Sequence, residues 1–148
     1  MMKYKHTNIV ARDWRALARF YENALGCVRV PPERRLSGPW LEEVAGVSGA
    51  IIEGAHLRLP GFGEGGPTLE IFQYSHNETR LPPAANREGF SHLAFEVDDV
   101  GKAMAEVLEK GGGRIGEIST TRVEGVGTLT VVYVTDPEGN IIELQSWT

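Results

Sequence analysis

Apolar residues recur at helical spacing in two stretches of the chain. After Asp13, apolar side chains fall at i, i+3, i+4, i+7 and i+11, which predicts a helix with one buried stripe that ends at Gly26. After Asp99, the same spacing starts at Val100 and runs to the glycines at 111–113. Both Asp residues are expected N-caps, because an Asp carboxylate accepts hydrogen bonds from the unpaired N–H groups of a first helical turn. Glycine is the residue expected just past a helix end.

Apolar and alternating runs between turn residues predict strands in the remaining sequence. In the first half the predicted strands are 28–30, 50–59 and 68–74, and in the second half they are 114–118, 127–135 and 141–146. Each half also opens with a short strand that begins at a histidine, His6 or His92. The segment 39–44 predicts an additional short helix, and 81–86 is interpreted as a linker.

These elements describe a duplicated chain. The stretches from His6 to Asp13 and from His92 to Asp99 align without gaps at a fixed offset, and the predicted elements then follow in the same order. The sequence therefore predicts an α+β fold of two βαβββ modules, 1–80 and 87–148, in one domain. A single module of this size buries little core, so we expect two mixed sheets that face each other and enclose a central cleft.

Composition excludes several classes of protein. The chain has 148 residues and a formal net charge of −5, and no basic stripe is present, so no nucleic-acid partner is expected. No apolar run is long enough to predict a membrane span, and the N-terminus has no apolar signal region, which favours a cytoplasmic protein. Cys27 is the only cysteine, so no internal disulfide forms.

Four polar residues stand inside apolar strands at matching places in the two halves. They are His6 and Glu70 in the first half and His92 and Glu143 in the second. Two neighbouring carboxylates in such a setting repel, and one stays protonated unless a cation lies between them. The sequence offers no obvious buried Lys or Arg to pair with both. Two imidazoles and two carboxylates suit Zn, Ni, Co, Mn or Fe. We therefore predict one divalent metal ion held by these four side chains.

Strand alternation places further side chains on the faces of the proposed ligands. These predicted pocket residues are Asn8, Phe72, Tyr74, Glu96 and Gln145. Asn8, Phe72 and Tyr74, together with Tyr133, are the predicted substrate-binding residues. His56, in a strand-like segment, and His76, in a polar turn, are interpreted as surface or packing residues. Trp40 in the inserted segment is interpreted first as a packing residue, with a lid, a pocket wall or a dimer contact as alternatives. Glu42, Glu43 and Glu53 are interpreted as solvated charges.

Four segments carry a resemblance to a known family. They are the first strand with His6, FYENALG at 20–26, GFSHLAFEV at 89–97 and TDPEGNIIEL at 135–144. Over nearly its whole length the chain resembles the vicinal oxygen chelate superfamily, also called the glyoxalase/bleomycin resistance/dioxygenase superfamily. Paired βαβββ modules are the fold that this resemblance implies.

The resemblance also implies an activity. The ligand set His6, Glu70, His92 and Glu143 is similar to that of glyoxalase I and close to the methylmalonyl-CoA epimerase pattern. It implies a metal-dependent isomerase, lyase or epimerase that removes a proton next to a carbonyl, with the metal stabilising an enolate or enediolate. Glu70 or Glu143 is the implied base, and a small carbonyl compound or thioester the implied substrate. Relatives of this size commonly form homodimers. Glutathione binding stays open, because Val10 and Tyr74 replace the Arg and Asn of glyoxalase I.

Other activities of the superfamily remain alternatives. An iron-dependent extradiol dioxygenase would use a 2-His-1-carboxylate site, and Tyr133 resembles the active-site tyrosine of that group. A plain strand residue is the favoured interpretation of Tyr133. Pro67 stands where those dioxygenases carry a catalytic histidine. The remaining alternatives are a non-catalytic drug-binding protein of the bleomycin-resistance type and a metal-dependent thiol transferase acting on an epoxide antibiotic.

Overall fold

A computed structural model describes residues 1–148 and contains three helices and nine strands. The helices are α1 (Trp14–Leu25), α2 (Pro39–Ala45) and α3 (Val100–Glu109). The strands are β1 (His6–Val10), β2 (Val28–Ser37), β3 (Ile51–Arg58), β4 (Thr68–Tyr74), β5 (His92–Glu96), β6 (Gly113–Arg114), β7 (Ser119–Val123), β8 (Gly127–Thr135) and β9 (Ile141–Trp147). Mixed sheets with few helices confirm the predicted α+β class. None of the three helices is long and apolar enough to span a membrane.

The chain divides into two compact units, unit 1 (Met1–Thr79) and unit 2 (Arg80–Thr148). Unit 1 contains a four-stranded sheet in the order β1-β4-β3-β2, in which only β1 and β4 run parallel. Helix α1 packs on one face of β3 and β4. The core of unit 1 is formed by fully buried side chains on this side, Trp14, Leu17, Tyr21, Leu57, Leu69 and Ile71. The opposite face of the sheet is left for polar groups.

Unit 2 repeats this plan with one more strand. Its sheet has the order β5-β9-β8-β6, with β5 parallel to β9, and β7 pairs with β8 as the fifth strand. Helix α3 packs against β8 and β9. Its buried face includes Val107, and the sheet contributes Val134, Ile142 and Leu144. As in unit 1, the face opposite the helix carries polar side chains.

The predicted helix ends are confirmed. The Asp13 carboxylate accepts from the Ala16 N–H at 3.0 Å, and the Asp99 carboxylate accepts from the Lys102 N–H at 2.9 Å. Gly26 has a φ of 67°, a left-handed conformation that favours glycine. Helix α3 ends with Lys110 as its cap, and the left-handed residue is the next one, Gly111.

Two strand predictions were wrong. Strand β2 does not stop at 30: it shifts register between Val30 and Arg34 and continues to Ser37. Pro31 and Pro32 are tolerated because β2 is an edge strand. The predicted strand at 114–118 is reduced to the two residues of β6, and a strand that was not predicted, β7, follows it. Strand β7 is polar and largely exposed, so it shows no hydrophobic alternation.

The inserted helix is confirmed as α2, but its packing residue differs from the predicted one. Trp40 is 52% exposed, whereas Leu41 is 5% exposed and packs with Ala50, Ile52 and Phe72. Tyr74 also packs against this cluster. Helix α2 therefore covers part of the polar face of the unit 1 sheet through Leu41.

Candidate metal centre

Strand register places Glu70 between two polar residues on the sheet face opposite α1. In β4, Glu70 pairs with Asn8 of the parallel strand β1 and with His56 of the antiparallel strand β3. Paired residues of neighbouring strands point to the same face, so the three side chains form a row across the sheet. His6 lies two residues before Asn8 in β1 and therefore on the same face.

Both oxygens of the Glu70 carboxylate have partners. The Asn8 amide donates to Oε1 at 2.8 Å, and His6 Nε2 lies 3.8 Å from the same oxygen. His56 Nε2 lies 2.9 Å from Oε2. The Glu70 side chain is only 13% exposed, and Asn8 and His56 hold its carboxylate in one orientation.

His56 is fixed from its other side. Its Nδ1 lies 2.9 Å from the Thr68 hydroxyl oxygen, and its ring meets the Phe72 ring edge-on with centroids 5.9 Å apart. Burial lowers the pKa of His56, although the Glu70 charge acts in the opposite direction. The neutral imidazole, which is the form that binds metals, is therefore favoured.

The Phe72 ring lies beside His56 because residue 54 has no side chain. A Cβ atom added at Gly54 would lie 2.5 Å from Phe72 Cδ1 and 2.1 Å from the Ile71 carbonyl oxygen. Gly54 pairs with Phe72 across β3 and β4. The absence of a side chain at Gly54 thus allows the Phe72 ring to pack beside His56.

Unit 2 carries an equivalent but different arrangement. His92 Nε2 lies 3.3 Å from Glu143 Oε2. Glu143 of β9 pairs with Ala94 of β5 and with Tyr133 of β8. The centroids of the Tyr133 and His92 rings lie 5.0 Å apart. Burial raises the pKa of Tyr133, and the charge of Glu143 and a hydrogen bond to it act in the same direction, so the phenol stays protonated.

The duplication therefore preserves the His–Glu pairs and changes their neighbours. Asn8 in unit 1 corresponds to Ala94 in unit 2, and His56 corresponds to Tyr133. Sequence reasoning interpreted His56 as a surface or packing residue, whereas it contacts Glu70 in the structure. The signal that could have found it is register: each proposed Glu faces one ring-bearing side chain on the preceding antiparallel strand.

The structure brings each predicted His–Glu pair together within its own unit. Of the predicted pocket residues, Asn8 contacts Glu70, Tyr133 contacts His92 and Glu143, and Phe72 contacts His56. Tyr74 packs with the α2 cluster instead. Gln145 accepts a hydrogen bond from the Trp147 indole at 3.0 Å, and Glu96 pairs with Gln145 in register.

The donor set of unit 1 fits a divalent metal ion. His6, His56 and Glu70 each offer one ligand atom, and these three atoms lie within 4.8 Å of one another. Two imidazole nitrogens and a carboxylate oxygen are donors that Zn, Fe, Co, Ni and Mn accept. The lowered pKa of His56 agrees with this chemistry.

The family model of the Glyoxalase/Bleomycin resistance protein/Dioxygenase superfamily matches residues 3–144, so the chain belongs to this superfamily. Members of the superfamily typically bind a divalent metal ion. A search of the curated proteins finds no match.

Solved structures share the fold. A glyoxalase family protein from Bacillus cereus matches with a TM-score of 0.75 at 19% identity, covering 99% of this chain and 93% of that one. A glyoxalase family protein from Enterococcus faecalis matches with a TM-score of 0.61 at 24% identity, covering 97% and 96%. A glyoxalase/bleomycin resistance protein/dioxygenase family enzyme from Burkholderia phytofirmans PsJN matches with a TM-score of 0.55 at 16% identity, covering 97% and 98%. At these identities the likeness shows the fold alone.

Proposed function

We propose that the protein is a divalent-metal-dependent isomerase, lyase or epimerase that removes a proton from the carbon next to a carbonyl group. His6 and Glu70 in unit 1 and His92 and Glu143 in unit 2 are the proposed metal ligands. One observation carries the proposal. At duplicated positions, each unit places a histidine nitrogen within 3.8 Å of a partly buried carboxylate oxygen. A surface ion pair would not be expected to recur at both positions.

A bound divalent ion supplies a Lewis acid that stabilises negative charge on the carbonyl oxygen as the neighbouring proton leaves. The chain supplies the base, for which Glu70 and Glu143 are the candidates. A carboxylate takes the proton and returns it, either to the neighbouring carbon in an isomerisation or to the opposite face in an epimerisation. The proposed substrate is a small carbonyl compound or thioester with two adjacent oxygen atoms.

The two candidate bases have different hydrogen-bond partners. Asn8 and His56 hold both oxygens of Glu70, which orients that carboxylate. Glu143 accepts a hydrogen bond from the protonated Tyr133, which stabilises the carboxylate anion of Glu143. The Tyr133 hydroxyl therefore lies beside the group that would return the proton to the substrate. Comparing exchange in the two glutamate variants, each with its bound metal quantified, therefore separates loss of the base from loss of the ion.

Deuterium exchange tests the proposal. The metal-loaded protein is incubated in heavy water with hemithioacetals, 2-hydroxyketones and thioesters, and loss of the proton next to the carbonyl is followed by NMR. We expect exchange with one of these classes, reduced about 100-fold or more in Glu70→Gln or Glu143→Gln, whichever removes the base.

The matched control is Glu53→Gln. Glu53 lies in β3 three residues before His56, on the opposite sheet face, where it forms ion pairs with Arg15 and Arg35. Exchange should be unchanged in this variant. Full exchange in both the Glu70→Gln and Glu143→Gln variants, or none in the metal-loaded wild type with any of the three classes, would contradict the proposal.

A second candidate function is an iron-dependent extradiol-type dioxygenase. The contact of Tyr133 with His92 and Glu143 favours a dioxygenase, because this contact places a protonated phenol beside a proposed His–Glu ligand pair. Oxygen uptake with catechols and ferrous iron, lost in Tyr133→Phe, would support this reaction over proton transfer.

A further inference from the structure

We propose that unit 1 by itself holds a divalent cation through three ligands, His6, Glu70 and His56, with His56 bound through Nε2. The four proposed ligands of the duplicated pattern do not include His56. The inference shares His6 and Glu70 with the proposed function, and it adds that unit 1 retains the cation when the ligand pair of unit 2 is removed.

The distances support a common ion. Two donors that each lie about 2.1 Å from one ion are separated by about 3.0–3.4 Å at neighbouring coordination positions. His56 Nε2 lies 2.9 Å from one Glu70 oxygen, and His6 Nε2 lies 3.8 Å from the other. His6 has the most exposed side chain of the three, at 39%, so its ring can turn towards the carboxylate. The three donors thus need only small movements to converge.

The surroundings of His56 and Glu70 match those of a metal site. Histidines that bind a metal through one ring nitrogen usually have a hydrogen-bond partner on the other. Thr68 provides that partner at His56 Nδ1, 2.9 Å away. Asn8 donates to Glu70 in the same supporting role. Both partners lie on the strands that carry the proposed ligands, so the sheet fixes the donors before any ion binds.

Partial burial of the Glu70 carboxylate favours a positive charge beside it. The side chains of His56 and Glu70 are 16% and 13% exposed, and the Phe72 ring covers one side of His56. His56 Nε2 and a Glu70 oxygen lie 2.9 Å apart, close to the spacing of two donors on one ion, and the carboxylate supplies the negative charge that balances a bound cation. The exposed side of His6 leaves the remaining coordination positions open to solvent and substrate.

The distinguishing experiment is zinc titration of the full chain, with long-range proton–nitrogen NMR spectra of the histidine rings. We expect one zinc ion per chain and coupled shifts of the Nε2 signals of His6 and His56. His76, an exposed histidine of the same unit, serves as the internal control and should not shift. The same result is expected in the double variant His92→Ala/Glu143→Gln.

The His56→Gln variant separates a ligand from a hydrogen-bond partner. Glutamine still donates to Glu70 but binds zinc poorly, so we expect zinc affinity to fall at least tenfold, whereas His76→Gln should bind as the wild type does. Circular dichroism confirms that each variant is folded. A conservative Thr68→Val change, which leaves His56 in place, should weaken binding about tenfold.

Several outcomes would overturn the inference. They are an unshifted His56 Nε2 when zinc binds, wild-type affinity in His56→Gln, and loss of zinc from the unit 2 double variant. None of these results bears on deuterium exchange. Conversely, zinc held through His56 in a protein that exchanges no substrate proton would refute the proposed function and leave this site standing.

Discussion

At the scale of single residues, Gly54 controls the wall of the candidate site. A methyl group at this position would collide with the Ile71 carbonyl oxygen, which is backbone and cannot move aside, and with Phe72. We expect Gly54→Ala to lower the free energy of unfolding by about 2–3 kcal/mol in urea denaturation. Gly63→Ala is the control, because no atom lies within 4 Å of its added Cβ, and it should change stability by less than about 0.5 kcal/mol. Equal stability of the two variants would contradict the placement of Phe72.

Cys27 gives a second prediction at this scale. Burial, followed by the nearby charge of Glu22, raises the pKa of the Cys27 thiol from 9.0 to about 12. The folded state therefore favours the thiol over the thiolate. The resulting stabilisation is complete below pH 9 and is lost as the pH rises from 9 towards 12, by up to about 1.4 kcal/mol per pH unit.

The measurement compares wild type with Cys27→Ala between pH 8 and 11. Other groups titrate equally in both proteins, so the difference in unfolding free energy isolates the thiol. The free energy of unfolding of the wild type minus that of Cys27→Ala should stay constant up to pH 9 and then fall as the pH rises. A constant difference up to pH 11 would mean that the folded thiol ionises normally.

The residues of the candidate site differ in how far the sequence predicts them. Glu70 and Glu143 are conspicuous, since each interrupts an apolar strand, and the repeat pairs each with a histidine. His56 carries no such signal, because its unit 2 counterpart is Tyr133 and the repeat therefore gives it no matching histidine. Only strand register places it beside Glu70. Register depends on hairpin geometry over the loop between β3 and β4, which local patterns do not determine.

At the scale of elements, α2 depends on a single buried side chain. Leu41 is its only buried residue and packs with Ala50, Ile52 and Phe72. We expect Leu41→Ala to lower the free energy of unfolding by about 2–3 kcal/mol, because it leaves a cavity in this small cluster. Val44→Ala in the same helix is the control, since Val44 is 78% exposed, and should have little effect. Similar losses in both variants would contradict the packing of α2 through Leu41.

The elements that the sequence predicts best are those with strong hydrophobic patterns. Strands β4 and β8 have the predicted boundaries, and α1 ends at the predicted glycine cap. Strand β7 was missed because backbone pairing with β8, rather than apolar burial, holds its exposed polar residues in place. The continuation of β2 past two prolines was missed because edge position is a property of the sheet and not of the local sequence.

At the scale of the whole molecule, duplication explains why the family is easier to predict than the reaction. Both units keep a strand–helix–strand plan with a His–Glu pair on the sheet face opposite the helix. The side chains beside each pair differ, with Asn8 and His56 in one unit and Ala94 and Tyr133 in the other. We expect these differences, rather than the shared plan, to determine the reaction.

Metal binding should therefore still stabilise unit 1 after the ligand pair of unit 2 has been removed. An ion held by native unit 1 and not by the unfolded chain adds about 2.7 kcal/mol to the stability of that unit at a free concentration 100 times its dissociation constant. In hydrogen exchange followed by mass spectrometry of the His92→Ala/Glu143→Gln variant, we expect zinc to slow exchange in β1, β3 and β4, which carry His6, His56 and Glu70. Exchange in β8 and β9 of this variant should change little. Adding His56→Gln to the same variant should abolish the zinc effect in unit 1. If zinc left exchange in β1, β3 and β4 of the double variant unchanged, unit 1 would not hold the ion by itself.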